Sequence, residues 1–546
     1  MVAATIAAAT LSVILSWHAI WASPLNVDEE LTLFVSSHHS FGDILHIVSS
    51  ERGGGPLHFW LEHVVLGWSH SLPGLRAPSL VFFVLALPGA ALVALELGGP
   101  TIAAAVVLLT AVSPVPVAYT TFGRPHTMLF AWLMWATVAI LRAARTGSRR
   151  WWIFGGFALG TSVFVHPTAP LYAVTAFGCA VLYAPRHWRT VVREAWPGAI
   201  ALLIGFGPYY AKTLHVLSDR YGVGQGSKHG GARTFSGNPV WDDALHFVAP
   251  GPHDFNYFSI LALLGLVVLV WRRSRVAIFC VLTVLAPVVF FSVVPATGRA
   301  ALFFDRYMIP VTPAFLVIVC TGCAAIASRA GRASLLVFVV LIAGLYAVEL
   351  RIDLARHGGS NALHLAGVTS AVDRVADGSV LFSTTGSAAV GNPAGQFSYG
   401  RPATLLDQYI SLRLPSLALA NDDDCMLVRP FLAAPPVRGI WLFYAALPDQ
   451  EAAAAATFKT VTGVTVTQPE PGYFLVRTHA ALTPRRLLRI GIHLRKRWEH
   501  AVPANKRATE LIEADEAALA HPAKCIPQGP LGDPDISPDW PLHKGA

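Results

Sequence analysis

Residues 77–120 read APSLVFFVLALPGAALVALELGGPTIAAAVVLLTAVSPVPVAYT, which is two apolar runs of about 20 residues in direct succession. A helix of about 20 apolar residues is long enough to cross the hydrocarbon core of a bilayer. Nine further apolar runs lie at about 3–22, 126–141, 151–166, 168–184, 195–214, 255–271, 276–296, 308–327 and 333–350. The sequence therefore predicts a polytopic α-helical membrane protein with about eleven spans.

The composition of the whole chain agrees with a membrane protein. Of its 546 residues, 54% are hydrophobic and 13% are charged, whereas soluble domains carry about 25% charged residues. The net charge is +8, but the arginines come in short clusters between apolar runs. This pattern is typical of membrane topology signals and argues against a nucleic-acid-binding surface.

The arginine clusters fall in every second loop between the apolar runs. They are Arg142/Arg145/Arg149/Arg150, Arg186/Arg189/Arg193, Arg272/Arg273/Arg275 and Arg329/Arg332. Because cytoplasmic loops are rich in Lys and Arg, we expect these loops and the N-terminus to be cytoplasmic and residues 351–546 to lie outside. The first run is interpreted as a retained span of a multi-pass plasma-membrane protein, and a signal peptide cleaved near Ala22 is the alternative.

One segment decides the parity of this topology. Pro56 to Leu72 is apolar but short, and it carries His58, Glu62 and His63. As a further span it would place either the arginine loops outside or the acidic segment near residue 28 inside. We therefore interpret it as an amphipathic helix in the membrane interface. Residues 23–76 then form one external loop with two juxtamembrane helices.

Polar residues gather at the predicted external face. An acidic triplet, Asp28-Glu29-Glu30, follows the first span, where a membrane helix meets water. The other polar residues that emerge on this face are His58, Arg76, Arg124, His126, His166, Asp305, Arg306 and Tyr307. Arginines outside run against the topology rule, so they reflect either snorkelling at the interface or a functional site.

The composition changes at Arg351, where Gly, Pro and charged residues return. Short β-type runs lie at Ser379–Ser383, Ile440–Tyr444, Val464–Thr467 and Tyr473–Val476, with helical stretches near 363–376 and 505–520. This pattern predicts a small external α/β domain. The predicted organisation is a membrane module at 1–350, the α/β domain at 351–480, and a basic helix with a Pro-rich tail at 481–546.

Three features of this external region have alternative interpretations. Arg485 to Trp498 (RRLLRIGIHLRKRW) is a basic amphipathic run, which either lies on an anionic lipid surface or is a solvated helix face. The acidic run at 422–424 is either a cation site or a surface turn. Cys425 and Cys525 are the two cysteines beyond the spans, and a disulfide between them is a hypothesis that an oxidising compartment would permit.

Several short motifs follow one another over about the first 310 residues. They are Asp28-Glu29, Gly55-Pro56-Leu57-His58-Phe59-Trp60, Leu75-Arg76-Ala77-Pro78-Ser79-Leu80, Phe122-Gly123-Arg124-Pro125-His126 and Arg306-Tyr307-Met308-Ile309-Pro310. Their order resembles the membrane glycosyltransferases of the GT-C fold, in the branch of protein O-mannosyltransferases and lipid A aminoarabinose transferases (glycosyltransferase family 39-like). The chain departs from that pattern where Gly54-Gly55 replaces His-Pro and His126 replaces an aromatic residue.

The resemblance implies transfer of a sugar from a polyprenyl-phosphate donor to an extracytoplasmic glycan, lipid or protein acceptor. The attacking hydroxyl must lose a proton, which a carboxylate within hydrogen-bond reach can accept as general base. A direct displacement inverts the anomeric centre. Asp28 is the predicted base, with Glu29 beside it. The alternative is a capping box, with Asn26 as N-cap and Glu29 three residues later.

The candidate substrate-binding residues are the basic residues of the external face: His58, Arg76, Arg124, His126, His166 and Arg306. Arg124 and Arg306 suit the phosphate of a lipid donor, because Arg binds phosphate oxygens with two donors at once. Their alternative role is snorkelling or ion pairing. Arg76 alternatively fixes the first loop to its span.

Other classes of function stay open at this point. Histidines crowd the first external loop near Asp28 and Glu62, so a divalent metal is an alternative to a cofactor-free site, although no His-Glu-x-x-His spacing is present. A transporter or flippase of lipid-linked sugar would carry ionisable residues in mid-span and repeated halves. The partners expected are the lipid-linked donor, its acceptor and membrane lipid, without nucleic acid.

Overall fold

The structure is a computed structural model that describes the membrane helices almost completely. The described residues are 1–22, 29, 32, 35–36, 40–46, 48–49, 55–69, 72–221, 255–296, 305–330, 333–357, 379–382, 416–417, 435–436, 438–444, 448–470, 473–501 and 516. The chain divides into two compact units. The first comprises Met1–Ala22 and Val35–His357, and the second comprises Ser23–Phe34 and Gly358–Ala546. Each unit is described by itself.

The first unit is helical. Its helices are α1 (Val2–Ala22), α2 (Phe41–His46), α3 (Pro56–Trp68), α4 (Leu72–Gly98), α5 (Pro100–Thr110), α6 (Pro114–Ala118), α7 (His126–Thr146), α8 (Arg149–Thr161), α9 (Ala169–Tyr183), α10 (Trp188–Tyr221), α11 (Phe255–Ala296), α12 (Thr312–Ala330) and α13 (Ala333–His357). Short 3₁₀ segments lie at Tyr119–Thr121, Ser162–Phe164 and Asp305–Val311.

Each of the eleven predicted apolar runs is helical over most of its length. Among the described residues, five helical segments are long and apolar enough to cross a membrane: Val2–Trp21, Pro73–Gly98, His126–Thr146, Phe258–Val293 and Arg306–Ser328. The pair Pro100–Thr110 and Pro114–Thr121, bent by 53°, would be a sixth. The polytopic helical membrane fold is thereby confirmed. The number of eleven spans stays a prediction.

Two predicted spans meet at a sharp kink within α11. The runs 255–271 and 276–296 both lie in α11, which is broken at Arg273, where φ is −149° and ψ is 60°. Arg273 donates from Nη1 to the carbonyl oxygen of Leu97, 3.1 Å away. The break thus coincides with the arginine cluster from which a loop was predicted, and one of its arginines caps the end of α4.

Helix α3 is too short to span a bilayer. Its 13 residues extend over about 20 Å, against a hydrocarbon core of about 30 Å. Trp60 donates from Nε1 to the carbonyl of Phe41 at 3.0 Å, and His63 Nδ1 lies 2.7 Å from the carbonyl oxygen of Ser36. These bonds tie α3 to the segment before it, which supports the interpretation of Pro56–Leu72 as a juxtamembrane helix.

Many large apolar side chains of the first unit are exposed. On α11, Ile260, Leu263, Val267 and Val270 are 52% to 64% exposed, and their spacing places them along one stripe of the helix. An apolar surface of this kind is stable when lipid covers it.

Glycines allow α8 and α10 to touch along their backbones. A methyl group on Gly156 would lie 2.1 Å from the carbonyl oxygen of Gly198, and one on Gly160 would lie 2.3 Å from that of Leu202. Spacing of small residues four apart is a common way for membrane helices to approach closely. Here the motif is Gly156-x-x-x-Gly160.

The C-terminal end of α7 is held by arginine. Arg186 donates to the carbonyl oxygens of Ala144 at 2.7 Å and Arg145 at 2.9 Å, and it pairs with Glu194 at 3.0 Å. Arg145 pairs with Glu96 at 3.1 Å. These contacts satisfy carbonyl groups that every helix leaves unpaired at its last turn. They lie about 30 Å from the other end of α7.

The second unit contains a five-stranded mixed sheet. Its strands are β1 (Ser379–Phe382), β2 (Ser416–Leu417), β3 (Arg438–Tyr444), β4 (Val464–Glu470) and β5 (Tyr473–Thr478), in the order β2-β1-β3-β5-β4. β1 runs parallel to β2 and β3, whereas β5 is antiparallel to β3 and β4. All four predicted β-type runs overlap these strands, in agreement with the α/β character predicted for this region.

Two helices accompany the sheet, α14 (Pro448–Phe458) and α15 (Pro484–Ala501). The ring of Phe458 lies between those of Phe443 and Phe474, with centroids 4.9 Å and 5.7 Å away. Aromatic packing of this kind fixes α14 on the sheet. α15 carries the basic run predicted at 485–498.

Some predictions fall outside the described residues. They concern the helices near 363–376 and 505–520 apart from Glu516, the acidic run at 422–424, and the disulfide between Cys425 and Cys525. The four cysteines of the first unit, Cys179, Cys280, Cys320 and Cys323, are buried free thiols.

Candidate functional site

The described site lies at the N-terminal end of α7. Basic and aromatic side chains from four chain segments converge there: the 3₁₀ segment after α6, the turn before α7, the turn before α9, and the 3₁₀ segment before α12. We call this set the basic cluster; its members are Tyr119, Arg124, His126, His166, Arg306 and Tyr307.

His126 is the centre of the basic cluster. It is 4% exposed, and its ring lies 5.1 Å from that of His166 and 5.2 Å from that of Tyr119. Its Nε2 atom has no hydrogen-bond partner among the residues that the structure describes. A buried polar atom without a partner is costly, so Nε2 is available to a bound molecule.

Arg306 is held from both sides by aromatic residues. Its Nη1 atom donates to the hydroxyl of Tyr119 at 3.5 Å, and its Cζ lies 5.9 Å from the ring centroid of Tyr307. Tyr307 is fixed in turn: its carbonyl accepts a hydrogen bond from the hydroxyl of Tyr172 at 2.5 Å, and its ring stacks on Phe291 at 5.0 Å.

Arg124 reaches the same place from the turn before α7. Its backbone N–H donates to Phe122 at 2.8 Å, and its carbonyl accepts from Ser79 at 3.2 Å, so the turn is fixed independently of the side chain. The guanidinium groups of Arg124 and Arg306 both lie close enough to His126 to interact with it electrostatically. Two cations at one buried ring suit an anionic ligand.

The helix end itself adds to this field. The N-cap position of α7 is Pro125, and within the described chain no side chain caps the first N–H groups of the helix. Unpaired N–H groups and the helix dipole make such an end favourable for anions. The basic cluster therefore combines two guanidinium groups with a helix N-terminus.

The hydrogen bonds of His166 define its tautomer. The backbone N–H of Thr168 donates to Nδ1 at 3.2 Å, and the Thr168 hydroxyl lies 2.7 Å from the same atom. Nδ1 is therefore an acceptor, and in the neutral ring the proton is on Nε2. His166 is 8% exposed, and it presents an N–H donor from this second nitrogen.

His58 lies on α3 and fixes the turn that carries Arg124. It is 1% exposed, and its Nε2 donates to the carbonyl of Gly123 at 3.3 Å. Burial, and next the positive charge of Arg124, lower the pKa of His58 to about 3. The ring is therefore neutral at ordinary pH, and its 3.8 Å approach to Glu62 is not an ion pair.

Two glycines in the quoted motifs explain how separate segments meet here. A methyl group on Gly55 would lie 2.4 Å from the carbonyl carbon of Val165, and one on Gly123 would lie 2.8 Å from the carbonyl oxygen of Leu75. Backbone atoms cannot move aside as a flexible side chain can. The start of α3 thus packs on the segment before His166, and the Gly123 turn packs on the start of α4.

Arg76 fixes the end of the first span. It is 1% exposed and donates from Nη1 to the carbonyl oxygen of Ile20 at 3.1 Å. Asp28, eight residues after Ile20 in the sequence, lies outside the described residues. Glu29 is helical and 1% exposed. The bond to Ile20 supports the anchoring role that was the alternative for Arg76, and its role in substrate binding stays a prediction.

The structure brings together four of the predicted binding residues, Arg124, His126, His166 and Arg306, with His58 behind the turn. The sequence did not identify Tyr119, which accepts from Arg306, because a tyrosine near the end of an apolar run is ordinary. Within the described residues, no group of three or more His, Cys, Asp or Glu lies close enough to hold a metal ion.

The comparisons with known proteins agree with the fold. Residues 54–210 match the model of the family described as dolichyl-phosphate-mannose-protein mannosyltransferase. The crystal structure of ArnT from Cupriavidus metallidurans in the apo state is similar, with a TM-score of 0.52 and 13% identity, over 86% of this chain and 97% of that chain. No curated protein sequence is significantly similar.

A second structure of ArnT from Cupriavidus metallidurans, bound to undecaprenyl phosphate, has a TM-score of 0.53 at 13% identity over the same shares, 86% and 97%. At this identity the likeness concerns the fold. The resemblance drawn from the motifs is confirmed: this is a membrane protein with the GT-C fold, similar to the mannosyltransferase family model where the motifs of α3, α4 and α7 lie.

Proposed function

We propose that this GT-C-fold membrane protein is an inverting glycosyltransferase that takes a sugar from a polyprenyl phosphate and passes it to a hydroxyl of an extracytoplasmic acceptor. The observation that carries the proposal is the meeting of Arg124 and Arg306 at the N-terminus of α7. A phosphate monoester or diester is the anion that such a pair and helix end bind well.

The reaction needs few groups. The acceptor oxygen attacks the anomeric carbon, the bond from that carbon to the phosphate oxygen breaks, and the lipid phosphate leaves with the electron pair. Arg124 and Arg306 stabilise the charge that grows on the phosphate. Asp28 takes the proton of the acceptor hydroxyl as general base. We assign contact with the sugar or the phosphate to His126 Nε2 and to His166.

Three observations support this assignment. Arg76 fixes the end of α1 at Ile20, eight residues before Asp28 in the sequence. His58 and Gly123 fix the turn of Arg124. The match of the family model covers α3, α4, α7 and the turn of His166, and ArnT, of the same fold, binds undecaprenyl phosphate.

The test is transfer by the purified chain from a panel of polyprenyl-phosphate sugars, with mass spectrometry of the products. Asp28→Asn should lower the rate by about 10²-fold to 10⁴-fold, the usual contribution of a general base, with unchanged membrane expression. Asp43→Asn is the matched control, since Asp43 accepts hydrogen bonds from Ser40 at the start of α2.

Full activity of Asp28→Asn would overturn the assignment of the base. A chain that moves lipid-linked sugar across a proteoliposome membrane and transfers none would overturn the enzyme proposal in favour of a flippase. An effect of Asp43→Asn as large as that of Asp28→Asn would show that loss of a carboxylate in this loop acts through folding.

A further inference from the structure

The basic helix α15 has two faces of opposite character. Its exposed basic residues are Arg485, Arg486, Arg489, His493, Lys496 and Arg497. At 3.6 residues per turn they fall within an arc of about 120°, and from first to last they extend over about 18 Å. This set is called the α15 basic face.

The apolar side of α15 is covered by its own unit. Leu487, Leu488 and Leu494 are at most 1% exposed, and they lie on the opposite arc of the helix. A methyl group on Gly439 of β3 would lie 2.9 Å from Leu487, which shows how closely the helix lies on the sheet. α15 is therefore not free to insert its leucines into a bilayer.

The α15 basic face has little compensation in the part of the chain that the structure describes. Lys496 pairs with Glu516 at 2.7 Å, with both side chains about half exposed, and Arg497 donates to the hydroxyl of Thr460 at 3.3 Å. Exposed pairs of this kind contribute little stabilisation. Positive charge thus dominates the exposed side of this helix.

We propose that the α15 basic face adsorbs onto the anionic headgroups of the membrane in which the chain is anchored. Flat, multiply charged helix faces suit a surface of mobile headgroups, because each Lys or Arg near it contributes about 1 kcal/mol without a fixed geometry. Since the same chain carries the spans, adsorption is intramolecular and weak contacts suffice. The buried leucines make the contact electrostatic, so salt screens it.

The test uses the full chain in nanodiscs of phosphatidylcholine with or without phosphatidylglycerol. Arginines are modified with phenylglyoxal, and the rate at Arg485, Arg486 and Arg489 is followed by peptide mass spectrometry. We expect these arginines to be modified several-fold more slowly in nanodiscs that contain phosphatidylglycerol. Salt at 0.5 M, where the Debye length is roughly 4 Å, should restore the faster rate. Equal rates in both nanodiscs at low salt would overturn the proposal.

Variants separate adsorption from folding effects. Arg485→Glu/Arg486→Glu should remove the lipid-dependent protection of Arg489, whereas Lys459→Glu, at an exposed site outside the α15 basic face, should preserve it. Protection of Arg489 that persists in the double variant would contradict the proposal. A soluble anionic polysaccharide could instead protect the arginines in neutral nanodiscs while phosphatidylglycerol gives no protection. That result would overturn the proposal and indicate a glycan as the ligand.

Discussion

Arg306 donates a hydrogen bond to the hydroxyl of Tyr119 at 3.5 Å, across 187 positions of sequence. The bond joins the 3₁₀ segment before α12 to the one after α6, and it directs a guanidinium group toward His126. The two residues are distant in sequence, so only tertiary packing brings them together. Contacts of this kind between distant segments build the basic cluster.

The first prediction concerns the donor phosphate. Arg306→Gln should lower kcat/KM for the lipid-linked donor by about 10-fold to 100-fold, because a hydrogen bond to a charged group is worth about 1.5–3 kcal/mol. Tyr119→Phe, which removes the acceptor and leaves the charge, should cost less. The matched control is Arg145→Gln, whose side chain is 63% exposed and pairs with Glu96. If Arg145→Gln lowers kcat/KM as much as Arg306→Gln, the cluster has no special role.

The second prediction concerns the close approach of α3. Gly55→Ala should lower the thermal midpoint in detergent, because its methyl group would meet the backbone of Val165 at 2.4 Å and overpacking costs about 1–3 kcal/mol. Gly67→Ala lies on the same helix, and its methyl group would meet no packed atom of the described residues within 4 Å, so this variant should be neutral or stabilising. Equal midpoints for the two variants would contradict the packing described.

The third prediction concerns the contact of α8 with α10. Gly160→Ala should separate the helices and lower the thermal midpoint, since Leu202 O would lie 2.3 Å from the new methyl group. Gly178→Ala in α9 has open space and serves as the control. Transfer activity, measured on the surviving folded fraction, should be retained, because neither glycine is in the basic cluster.

The fourth prediction is a pH dependence of stability. The unfolded pKa of His58 is 6.5 and the folded pKa is about 3, so below pH 6.5 the unfolded chain binds a proton that the folded chain does not. Stability should therefore fall as the pH drops from 6.5 toward 3, by at most about 1.4 kcal/mol per pH unit for this group. His58→Gln keeps a donor for Gly123 and does not titrate.

The measurement is the difference in thermal midpoint between the wild type and His58→Gln at several pH values. Above pH 6.5 the difference between the two thermal midpoints should be constant. Below pH 6.5 the thermal midpoint of the wild type should fall more steeply with decreasing pH than that of His58→Gln. Parallel curves down to pH 4 would show that His58 titrates normally in the folded chain.

The membrane helices were predictable because long apolar runs have one stable conformation in lipid. The kink between 255–271 and 276–296 falls in the predicted loop, but the bond from Arg273 to Leu97 was not predictable, since Arg273 looks like any other arginine of a loop. In the cluster, arginines and histidines stood out against an apolar background. Tyr119 did not, because its role depends on a residue distant in sequence, Arg306, which only tertiary packing brings near it.

His58 and Arg76 show the same limit of prediction from sequence. Their positions among the motifs were found from sequence, but the bonds from buried His58 to Gly123 and from buried Arg76 to Ile20 were not. Sequence spacing indicates which residues share a region. It does not indicate which of them point into open space.

The dipeptide Arg306-Tyr307 is fastened at three points: a side-chain bond to Tyr119, a backbone bond to Tyr172 and a ring stacked on Phe291. The cation is thus preorganised, so a phosphate that arrives does not have to order it and loses less free energy on binding. It follows that substitutions at Tyr172 or Phe291, neither of which bears a charge, should make donor binding weaker through disorder of Arg306.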